Sequence, residues 1–316
     1  MCRAGERHCV NWGRLRKHAI TDFAPESREG VPDVTWAHGE SGIDVAELWK
    51  AADANGGDGL PGGPGRAEVC AALLRCEQDK VAEPRITTDV MACVAAGEGE
   101  LAGLGFRMKS PTSMARKIAS KTKGRIDKSG SPLHAQIAAS LTDTIRYTDE
   151  VRSPDQLVGE ARTVTQNLRQ RGYRIVEAES FYADGAVYKG LHTSVETPEG
   201  LQFELQFHSQ ESLEVKEGPE GIHVFYEHYR QAHFRRDRRG AEVSSACWDE
   251  CVRRSRKVRM PPGMEELDEL GGCKVTHITP MKPRWYVDPK NRKEYTERVS
   301  LSDLSGEARR LGRDAG

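Results

Sequence analysis

Apolar residues recur at helical spacing in two parts of the chain, and a helix start lies between them. The sequence predicts helix from about residue 66 to 96, with 88 to 96 as a separate short helix, and a further helix from 154 to 171. Ser110 can cap a helix and a proline follows it, so another helix is expected from 111 to about 121.

Alternating apolar and polar residues predict strands between and after these helices. The runs are 101 to 108, a strand start at 143 to 148, and then 173 to 178, 187 to 196 and 201 to 208. Thr197 to Gly200 join the last two strands as a hairpin turn, and two helices follow, at 209 to 216 and 222 to 235. The order β-α-β-α-β-β-β-α-α predicts an α+β fold with a mixed β-sheet flanked by helices.

Glycine and proline mark a domain boundary near the N-terminus. The stretch from Asn55 to Gly65 holds six glycines and two prolines, so it is expected to be a flexible linker. We therefore predict an N-terminal extension with its linker at 1–64, a central domain at 65–240 and a basic C-terminal extension at 241–316. Both extensions are expected to be poorly ordered.

Composition narrows the class of protein. The formal net charge of -1 excludes a globally basic nucleic-acid binder, although local basic patches occur. No apolar run is long enough to cross a membrane, and the polar N-terminus is not a secretory signal. A cytoplasmic location is expected, although secretion by a route without an N-terminal signal would leave no trace here. The eight cysteines match no paired zinc spacing, so most are expected to be reduced, buried thiols.

Two neighbouring strands each carry a polar face. On the strand from 201 to 208 the polar side chains that share a face are Gln202, Glu204, Gln206 and His208. On the strand before it, one face is shared by Tyr188, Gly190, His192 and Ser194. Glycine inside a strand usually marks the close approach of a ligand or another backbone. Each strand alone could be an ordinary half-exposed strand, but a hairpin whose polar faces coincide would build a site.

Basic side chains cluster around the predicted helix start after residue 110. The cluster comprises Arg107, Lys109, Arg116, Lys117, Lys121 and Lys123. Lys117 and Lys121 are four residues apart, so they lie one above the other on the helix. The positive end of the helix adds to their charge. The cluster suits a triphosphate, and a solvated cationic face is the alternative interpretation.

Four motifs, in this order and spacing, resemble those of the RelA/SpoT family of (p)ppGpp synthetases. They are R-M-K-S-P-T-S-M-A-R-K from 107, D-T-I-R-Y-T from 143, Y-K-G-L-H from 188 and F-E-L-Q-F-H from 203. The region from 107 to 230, about two-fifths of the chain, therefore resembles the family's synthetase domain, in particular its small stand-alone and toxin-type members. The resemblance implies a nucleotidyltransferase-like synthetase fold. It also implies Mg²⁺-dependent transfer of pyrophosphate from ATP to the 3′-hydroxyl of an acceptor nucleotide, with AMP as the leaving group.

The resemblance also implies roles for individual residues. The ATP phosphates would be held by Arg107, Lys109, Arg116, Lys117 and Lys121. Mg²⁺ would be held by Asp143 and Glu204, which form the catalytic set with His192, and Glu204 would also help to deprotonate the attacking hydroxyl. The acceptor would be bound by Tyr188, stacked on its base, together with Lys189, Gln206 and His208.

The acceptor stays open between three classes. The sequence departs from the family pattern at 183 to 187 and at His208, where the family usually carries Arg, and both positions lie on the acceptor side. The candidate acceptors are therefore a guanosine nucleotide, an adenosine nucleotide and the 3′ end of tRNA. For tRNA, the basic stretches at 253–259 and 282–293 would bind the RNA backbone, whereas a solvated or disordered tail is the simpler interpretation. Besides an enzyme that acts on a free nucleotide and one that acts on tRNA, the protein could be a non-catalytic nucleotide sensor. The presence of both proposed metal carboxylates, Asp143 and Glu204, argues against a sensor.

Overall fold

The computed structural model describes residues 20–36, 48–50, 52, 64–122, 133–230 and 235–292. Within them the α-helices are α1 (Arg66–Val94), α2 (Pro111–Thr122), α3 (His134–Ala139), α4 (Pro154–Gln170), α5 (Gln210–Glu217), α6 (His223–Arg230) and α7 (Arg238–Ser255). The strands are β1 (Glu100–Ala102), β2 (Arg146–Val151), β3 (Arg174–Ser180), β4 (Leu191–Glu196), β5 (Gln202–Ser209), β6 (Glu269–Leu270) and β7 (Cys273–His277). Residues 55–63 of the predicted linker lie outside the described residues.

The strands of the described chain form one mixed sheet, in the order β1-β2-β5-β4-β3-β7-β6. Strands β3, β4 and β5 are antiparallel neighbours, and Gly200 ends the turn before β5 with a φ of 86°, which glycine adopts without strain. β2 lies parallel to β5, and β7 lies parallel to β3. The predicted α+β fold, a mixed sheet flanked by helices, is confirmed.

One face of the sheet is covered by α1 and α4. The predicted helix start at residue 154 is confirmed, because Ser153 caps α4 and Pro154 takes its first position. The apolar sides of these helices and of the strands form the main core, which includes Tyr147, Leu157, Val164, Leu168, Phe203, Leu205 and Phe207. Because side chains alternate along a strand, the polar side chains of β4 and β5 point to the other face of the sheet.

A second core holds α2 beside the sheet. It joins α2 and α3 to the first half of α1, with Leu73, Met114 and Ile118 fully buried. The predicted start of α2 is confirmed, because Ser110 Oγ accepts a hydrogen bond from the amide of Ser113 at 3.1 Å. This packing fixes the face of α2 from which the basic side chains project.

Two predicted strands are shorter than the alternation suggested. The run from 101 to 108 forms a strand only at Glu100–Ala102, because Gly103 takes a φ of 60° and leads into a single 3₁₀ turn at Leu104–Phe106. The run from 187 to 196 pairs only from Leu191 onward, so the four residues before it form an irregular segment. Alternation alone did not distinguish a strand from a turn that happens to place apolar residues two apart.

The separate short helix predicted at 88 to 96 belongs instead to one continuous helix, α1. α1 runs through Pro84, and the apolar residues on both sides of it are buried. Ile86 and Val90 pack into the main core, which holds the second half of the helix in place. Tertiary packing therefore overrides the helix break that a proline favours.

The predicted solvated tail is corrected for residues 241–292. α7 spans the boundary placed at 240, and β7 extends the sheet beside β3. The side chains from this region that enter the main core are Val258, Met264, Leu267, Leu270 and Val275. Prolines in this region end elements without preventing the chain between them from packing.

Two observations on the described residues concern membrane spans and cysteines. None of their helices has the length and apolarity needed to cross a membrane. Their cysteines are free thiols, and the buried ones are Cys70, Cys76, Cys93, Cys247 and Cys251. Cys2 and Cys9 lie outside the described residues.

Candidate active site

Two rows of polar side chains cross the face of the sheet opposite α1 and α4. Neighbouring positions on β3, β4, β5 and β2 are occupied in the first row by Glu177, Ser194, Glu204 and Arg146. The second row consists of Glu179, His192, Gln206 and Thr148. The register of β4 with β5 therefore joins the two polar faces that the sequence singled out, and it adds carboxylates from β3.

Asp143 lies at the edge of these rows and is held by two lysines. Its Oδ2 is 3.2 Å from Nζ of Lys109 and also forms an ion pair with Nζ of Lys117. Lys109 is brought there by the backbone, because its amide donates to the carbonyl of Thr144 at 2.8 Å. Lys117 reaches the same oxygen from α2. The structure thus joins the basic segment, α2 and the aspartate into one cluster.

The charge of Asp143 is strongly stabilised. Burial raises the pKa of its carboxyl, but Lys109 and Lys117 outweigh burial and hold that pKa at about 2. The other oxygen, Oδ1, is buried and has no hydrogen-bond partner within the described part of the chain. A buried anionic oxygen without a donor is a ready ligand for a cation.

Asp143 and Glu204 line the same small cavity, of about 170 Å³. We call it the acidic pocket, and its walls are formed by Lys117, Thr142, Asp143, Glu177, Glu179, His192, Thr193, Ser194 and Glu204. Nδ1 of His192 is 3.2 Å from Oε1 of Glu204. Burial raises the pKa of Glu204, but His192, followed by Arg146, outweighs burial and holds that pKa below its ordinary value. Both predicted metal carboxylates are therefore ionised and share one pocket.

Asp143 also lines a larger cavity of about 540 Å³, which we call the large pocket. Its polar wall includes Lys109, Ser110, Arg146 and Lys216, and its apolar wall includes Trp36 and Phe106. The ring of Phe106 is 55% exposed, so it can offer a face to a planar group. The volume lies within the range of about 300–1,000 Å³ that is usual for small-molecule sites.

Tyr188 does not present its hydroxyl to either pocket. Its Oη lies 2.5 Å from Nε2 of His192 and 2.6 Å from Nε2 of His208. The side chain folds back over Gly190, where a Cβ atom would stand 2.3 Å from that hydroxyl. Gly190 therefore allows the close approach of neighbouring side chains, whereas the sequence predicts the approach of a ligand or another backbone.

The guanidinium of Arg107 is buried away from the phosphate-binding lysines. Arg107 is 2% exposed, and its Nε is 2.6 Å from Oε1 of Glu83 on α1. Its Nη1 donates to the carbonyls of Pro32 and Leu104. The residue borders the large pocket, but its side chain ties α1 to the segment before α2. The guanidinium of Arg107, which the sequence analysis assigned to ATP, thus stabilises the packing of α1 against this segment.

The remaining predicted residues divide between the site and the surface. Gln206 accepts a hydrogen bond from Lys216 Nζ at 2.8 Å beside the large pocket. Arg116 and Lys121 are exposed on α2 and line neither pocket. Lys189 is buried, and its Nζ donates to the carbonyl of Ala183 in the preceding loop. Lys123 lies outside the described residues.

Two residues at the site were not singled out by the sequence analysis. Arg146 occupies the position on β2 opposite Glu204, and it lines the large pocket. The alternation of Arg146 and Thr148 along β2 was the signal that could have placed it there. Lys216 comes from α5, with its Nζ 5.7 Å from the centre of the Tyr188 ring. Its position depends on how α5 packs, and no local pattern reports that.

The acidic pocket offers oxygen ligands suited to Mg²⁺, but it offers too few of them to hold the ion without other ligands. Asp143 Oδ1 lacks a partner, and carboxylate oxygen is the ligand that Mg²⁺ prefers. The described residues contain no group of three or more His, Cys, Asp or Glu side chains able to hold a metal ion. The set therefore suits an ion held by one or two carboxylates and completed by substrate phosphates and water, as Mg²⁺ commonly is.

No family model matches this chain, and no curated protein matches it. Among solved structures it is similar to the complex between the Type VI effector Tas1 and its immunity protein, with 20% identity, 60% of this chain and 95% of that chain covered, and a TM-score of 0.38. It is also similar to a GTP pyrophosphokinase family protein from Streptococcus pneumoniae, with 16% identity, coverage of 60% and 92%, and a TM-score of 0.34. The small alarmone synthetase 1 from Bacillus subtilis gives 14% identity, coverage of 57% and 93%, and a TM-score of 0.33.

Proposed function

We propose that this protein transfers the β,γ-pyrophosphate of ATP to the 3′-hydroxyl of an acceptor nucleotide, in a reaction that requires Mg²⁺. The observation that carries the proposal is the convergence of Asp143 and Glu204 on the acidic pocket, beside Lys109 and Lys117. The four motifs that resemble the RelA/SpoT synthetases contain these residues, and the fold brings them together from separate elements. A non-catalytic sensor has no need for two ionised carboxylates facing one cavity.

ATP is expected to occupy the large pocket with its phosphates toward Asp143. Lys109, Arg146 and Lys216 supply positive charge along that wall, and Ser110 and Ser113 at the start of α2 line the same pocket, where the positive end of the helix lies. Burial lowers the pKa of Lys109, an effect that Asp143 opposes. The exposed ring of Phe106 offers a surface on which the adenine base can stack. In phosphoryl transfer such groups act by position and charge rather than by covalent chemistry.

The acceptor is expected to present its 3′-hydroxyl in the acidic pocket. Glu204 is ionised, and its Oε1 lies 3.2 Å from Nδ1 of His192, so its second oxygen can take the proton of the hydroxyl. The hydroxyl oxygen then forms a bond to the β-phosphorus, and the bond from that phosphorus to the α-phosphate oxygen breaks, which releases AMP. Glu177 and Glu179 line the same pocket, so the ribose rather than a phosphate group of the acceptor suits this position.

Mg²⁺ would be held by Asp143 and Glu204, with the ATP phosphates as its other ligands. When bound, the ion neutralises charge on the transferred phosphates and orients them. Lys109 and Lys117 already hold Oδ2 of Asp143, so Oδ1 is the oxygen that would bind the ion. The proposed role of this chain is to keep both carboxylates deprotonated and pointed at one cavity.

The proposal is tested by incubating the purified protein with Mg²⁺, ATP labelled in the β-phosphate, and separate acceptors. The panel comprises GDP, GTP, ADP, ATP and uncharged tRNA. The expected result is AMP together with one product that carries the label on its 3′ side. Omission of Mg²⁺ and replacement of the acceptor by its 3′-deoxy analogue serve as controls, and both are expected to abolish the product.

Each outcome of the panel assigns the activity to one hypothesis. Label on a free guanosine or adenosine nucleotide supports the proposal and names the acceptor. Label on tRNA alone moves the activity to the RNA 3′ end. ATP binding without AMP release for any acceptor contradicts the proposal and favours a nucleotide sensor.

A further inference from the structure

Five polar side chains form a continuous line that ends at Glu204. From Oε1 of Glu204 the line passes to His192 at 3.2 Å, to the hydroxyl of Tyr188 at 2.5 Å, to His208 at 2.6 Å and to Oγ of Ser212 at 2.9 Å. The residues come from β4, β5, α5 and the segment before β4. We call this line the histidine–tyrosine chain.

The hydroxyl of Tyr188 requires the two imidazoles to differ. It lies between Nε2 of His192 and Nε2 of His208, within hydrogen-bond distance of both. Burial raises the pKa of Tyr188, so the hydroxyl keeps its one hydrogen. It can donate to one imidazole only, and the other must donate to its oxygen. If both neutral imidazoles carried hydrogen on Nδ1, one of these short contacts would have no hydrogen, and if both carried it on Nε2, the hydroxyl hydrogen of Tyr188 would find no acceptor on either ring.

The two ends of the line set its direction. Ionised Glu204 accepts only, so His192 must carry hydrogen on Nδ1, and in its neutral form its Nε2 then accepts from Tyr188. The oxygen of Tyr188 consequently accepts from Nε2–H of His208. Nδ1 of His208 is left to accept from the hydroxyl of Ser212, so this hydrogen turns to the ring instead of to the carbonyl of Ser209, which lies 3.0 Å from the same oxygen. Every contact along the line then has one donor and one acceptor, and no charge besides that of Glu204 is added to a buried cluster.

The surroundings of His208 support a neutral ring in a fixed place. His208 has no exposed surface, and burial, followed by the charge of Lys216, lowers its pKa well below the ordinary value. Oγ of Ser212 accepts from the amide of Ser209 at 3.0 Å, which holds that hydroxyl at the start of α5. A Cβ atom on Gly190 would stand 2.8 Å from Cε1 of His208 and closer still to Tyr188. Glycine at 190 therefore keeps the space in which the chain forms.

We infer that His208 and Tyr188 are positioning residues, which act through His192 to direct its Nδ1–H at Glu204 and leave the other oxygen of Glu204 available. The hydrogen-bond arrangement stands on its own geometry, while its benefit to transfer rests on the proposed role of Glu204. A ligating or proton-accepting group gains when a hydrogen-bonded neighbour fixes its orientation. This assignment places Tyr188 and His208 behind the reacting groups instead of against the acceptor.

The direct test observes the imidazole nitrogens in the full-length protein without ATP or metal. Histidine labelled with ¹⁵N is incorporated, and long-range ¹H–¹⁵N correlations identify which nitrogen of each ring carries hydrogen. The signals are assigned from the spectra of His192→Gln and His208→Gln. The expected result is hydrogen on Nδ1 of His192 and on Nε2 of His208. The same tautomer in both rings, or hydrogen on Nδ1 of His208, overturns the inference.

Activity variants test the consequence for the proposed reaction. Tyr188→Phe and His208→Leu each break the chain, and each is expected to lower kcat about 10–100-fold, the effect usual for a neighbour that orients a ligand. The double variant should lose no more activity than the less active of the two single variants, because both changes interrupt one chain. His208→Gln keeps an N–H donor toward Tyr188 and should recover most of the rate.

A matched control and a separate readout keep the outcomes distinct. Tyr173→Phe removes a hydroxyl that bonds Asp89 on α1, so it should change neither the tautomers nor kcat. Additive losses in the double variant, or an unchanged kcat in His208→Leu, would refute the positioning role. If the protein transfers no pyrophosphate to any acceptor, the proposed function fails, and the nitrogen spectra still decide whether the chain exists.

Discussion

Adjacent basic residues on α2 have different surroundings, although the sequence places both in one cationic run. Lys117 forms an ion pair with Asp143 and lines the acidic pocket. Arg116 is exposed and its Nη2 donates to Oγ of Ser113 at 3.1 Å. The helix turns by about 100° between successive residues, which separates a side chain at the site from one at the surface.

We expect Lys117→Met to lower kcat for pyrophosphate transfer by about 100-fold, because fixed charge beside a transferring group contributes at that scale. Arg116→Met should stay within about twofold, since exposed charges interact weakly. The measurement is AMP release at saturating ATP and acceptor. Equal losses in the two variants would show that the ion pair with Asp143 has no special part in the reaction.

Residue patterns predicted one half of the site well and the other half poorly. Alternation along β5 placed Glu204 and His208 on one face, because a strand has a period of two whatever packs against it. Arg107 could not be interpreted in this way, since its partner Glu83 lies on α1, 24 residues earlier. Lys216 had no signal of its own because the docking of α5, rather than its sequence, carries it to the site.

At the scale of elements, a pair of buried carboxyl groups joins β2 to α4. Asp149 is 1% exposed, and apart from the neighbouring carboxyl of Glu160 no group within the described residues forms a hydrogen bond with its oxygens. Burial, followed by the charge of Glu160, raises its pKa from 3.8 to about 8. Glycines border the pair, and a Cβ atom on Gly99 would stand 2.0 Å from Asp149 Oδ1. We interpret the pair as two carboxyl groups that share a proton.

This pair makes stability depend on pH in a defined direction. The folded state binds the proton of Asp149 more tightly than the unfolded state, so the stabilisation is complete below about pH 4 and is lost as the pH rises through about 8. We expect Asp149→Asn to raise the free energy of unfolding by roughly 1–3 kcal/mol above about pH 8, where the natural carboxyl must ionise in a buried place. The advantage should shrink toward about pH 4.

Urea unfolding over a series of pH values measures this effect, and Asp268→Asn is its control because Asp268 is exposed. The control should follow the parent protein at every pH. An Asp149→Asn variant whose stability falls in parallel with that of the parent above neutral pH would refute the shared proton.

At the scale of the whole molecule, the segment after α7 belongs to the same body as the sheet. Met264, Leu267 and Leu270 are buried in the main core, and β7 pairs with β3 on the side away from β4. Helices and the central hairpin were predictable because each has a local period or a capping residue. The attachment of this segment was not, since its strands are short and its core contacts come from α4 and β3, far away in the sequence.

We expect Leu267→Ala to lower the free energy of unfolding by about 2–5 kcal/mol, the usual cost of truncating a buried leucine. Met281→Ala should change it little, because Met281 is 80% exposed. Urea unfolding followed by circular dichroism compares the two variants. A Leu267→Ala protein as stable as the parent would restore the interpretation of this segment as a solvated tail.

The central claim, that Glu204 reacts in the acidic pocket, is tested most directly by a paired substitution on one hairpin. Glu204→Gln keeps the shape of the side chain but removes its charge. Glu196→Gln makes the same change on the polar side of β4, where Glu196 bonds Arg174 at 2.6 Å and lines neither pocket.

Both variants are assayed for AMP release with the acceptor that the labelling panel identifies. Their ATP binding is measured by calorimetry. The account predicts that Glu204→Gln loses more than about 1,000-fold in kcat while ATP affinity changes less than about tenfold, the pattern of an interaction made in the transition state. Glu196→Gln should retain full activity. A Glu204→Gln protein that still transfers pyrophosphate at the parent rate would contradict the account.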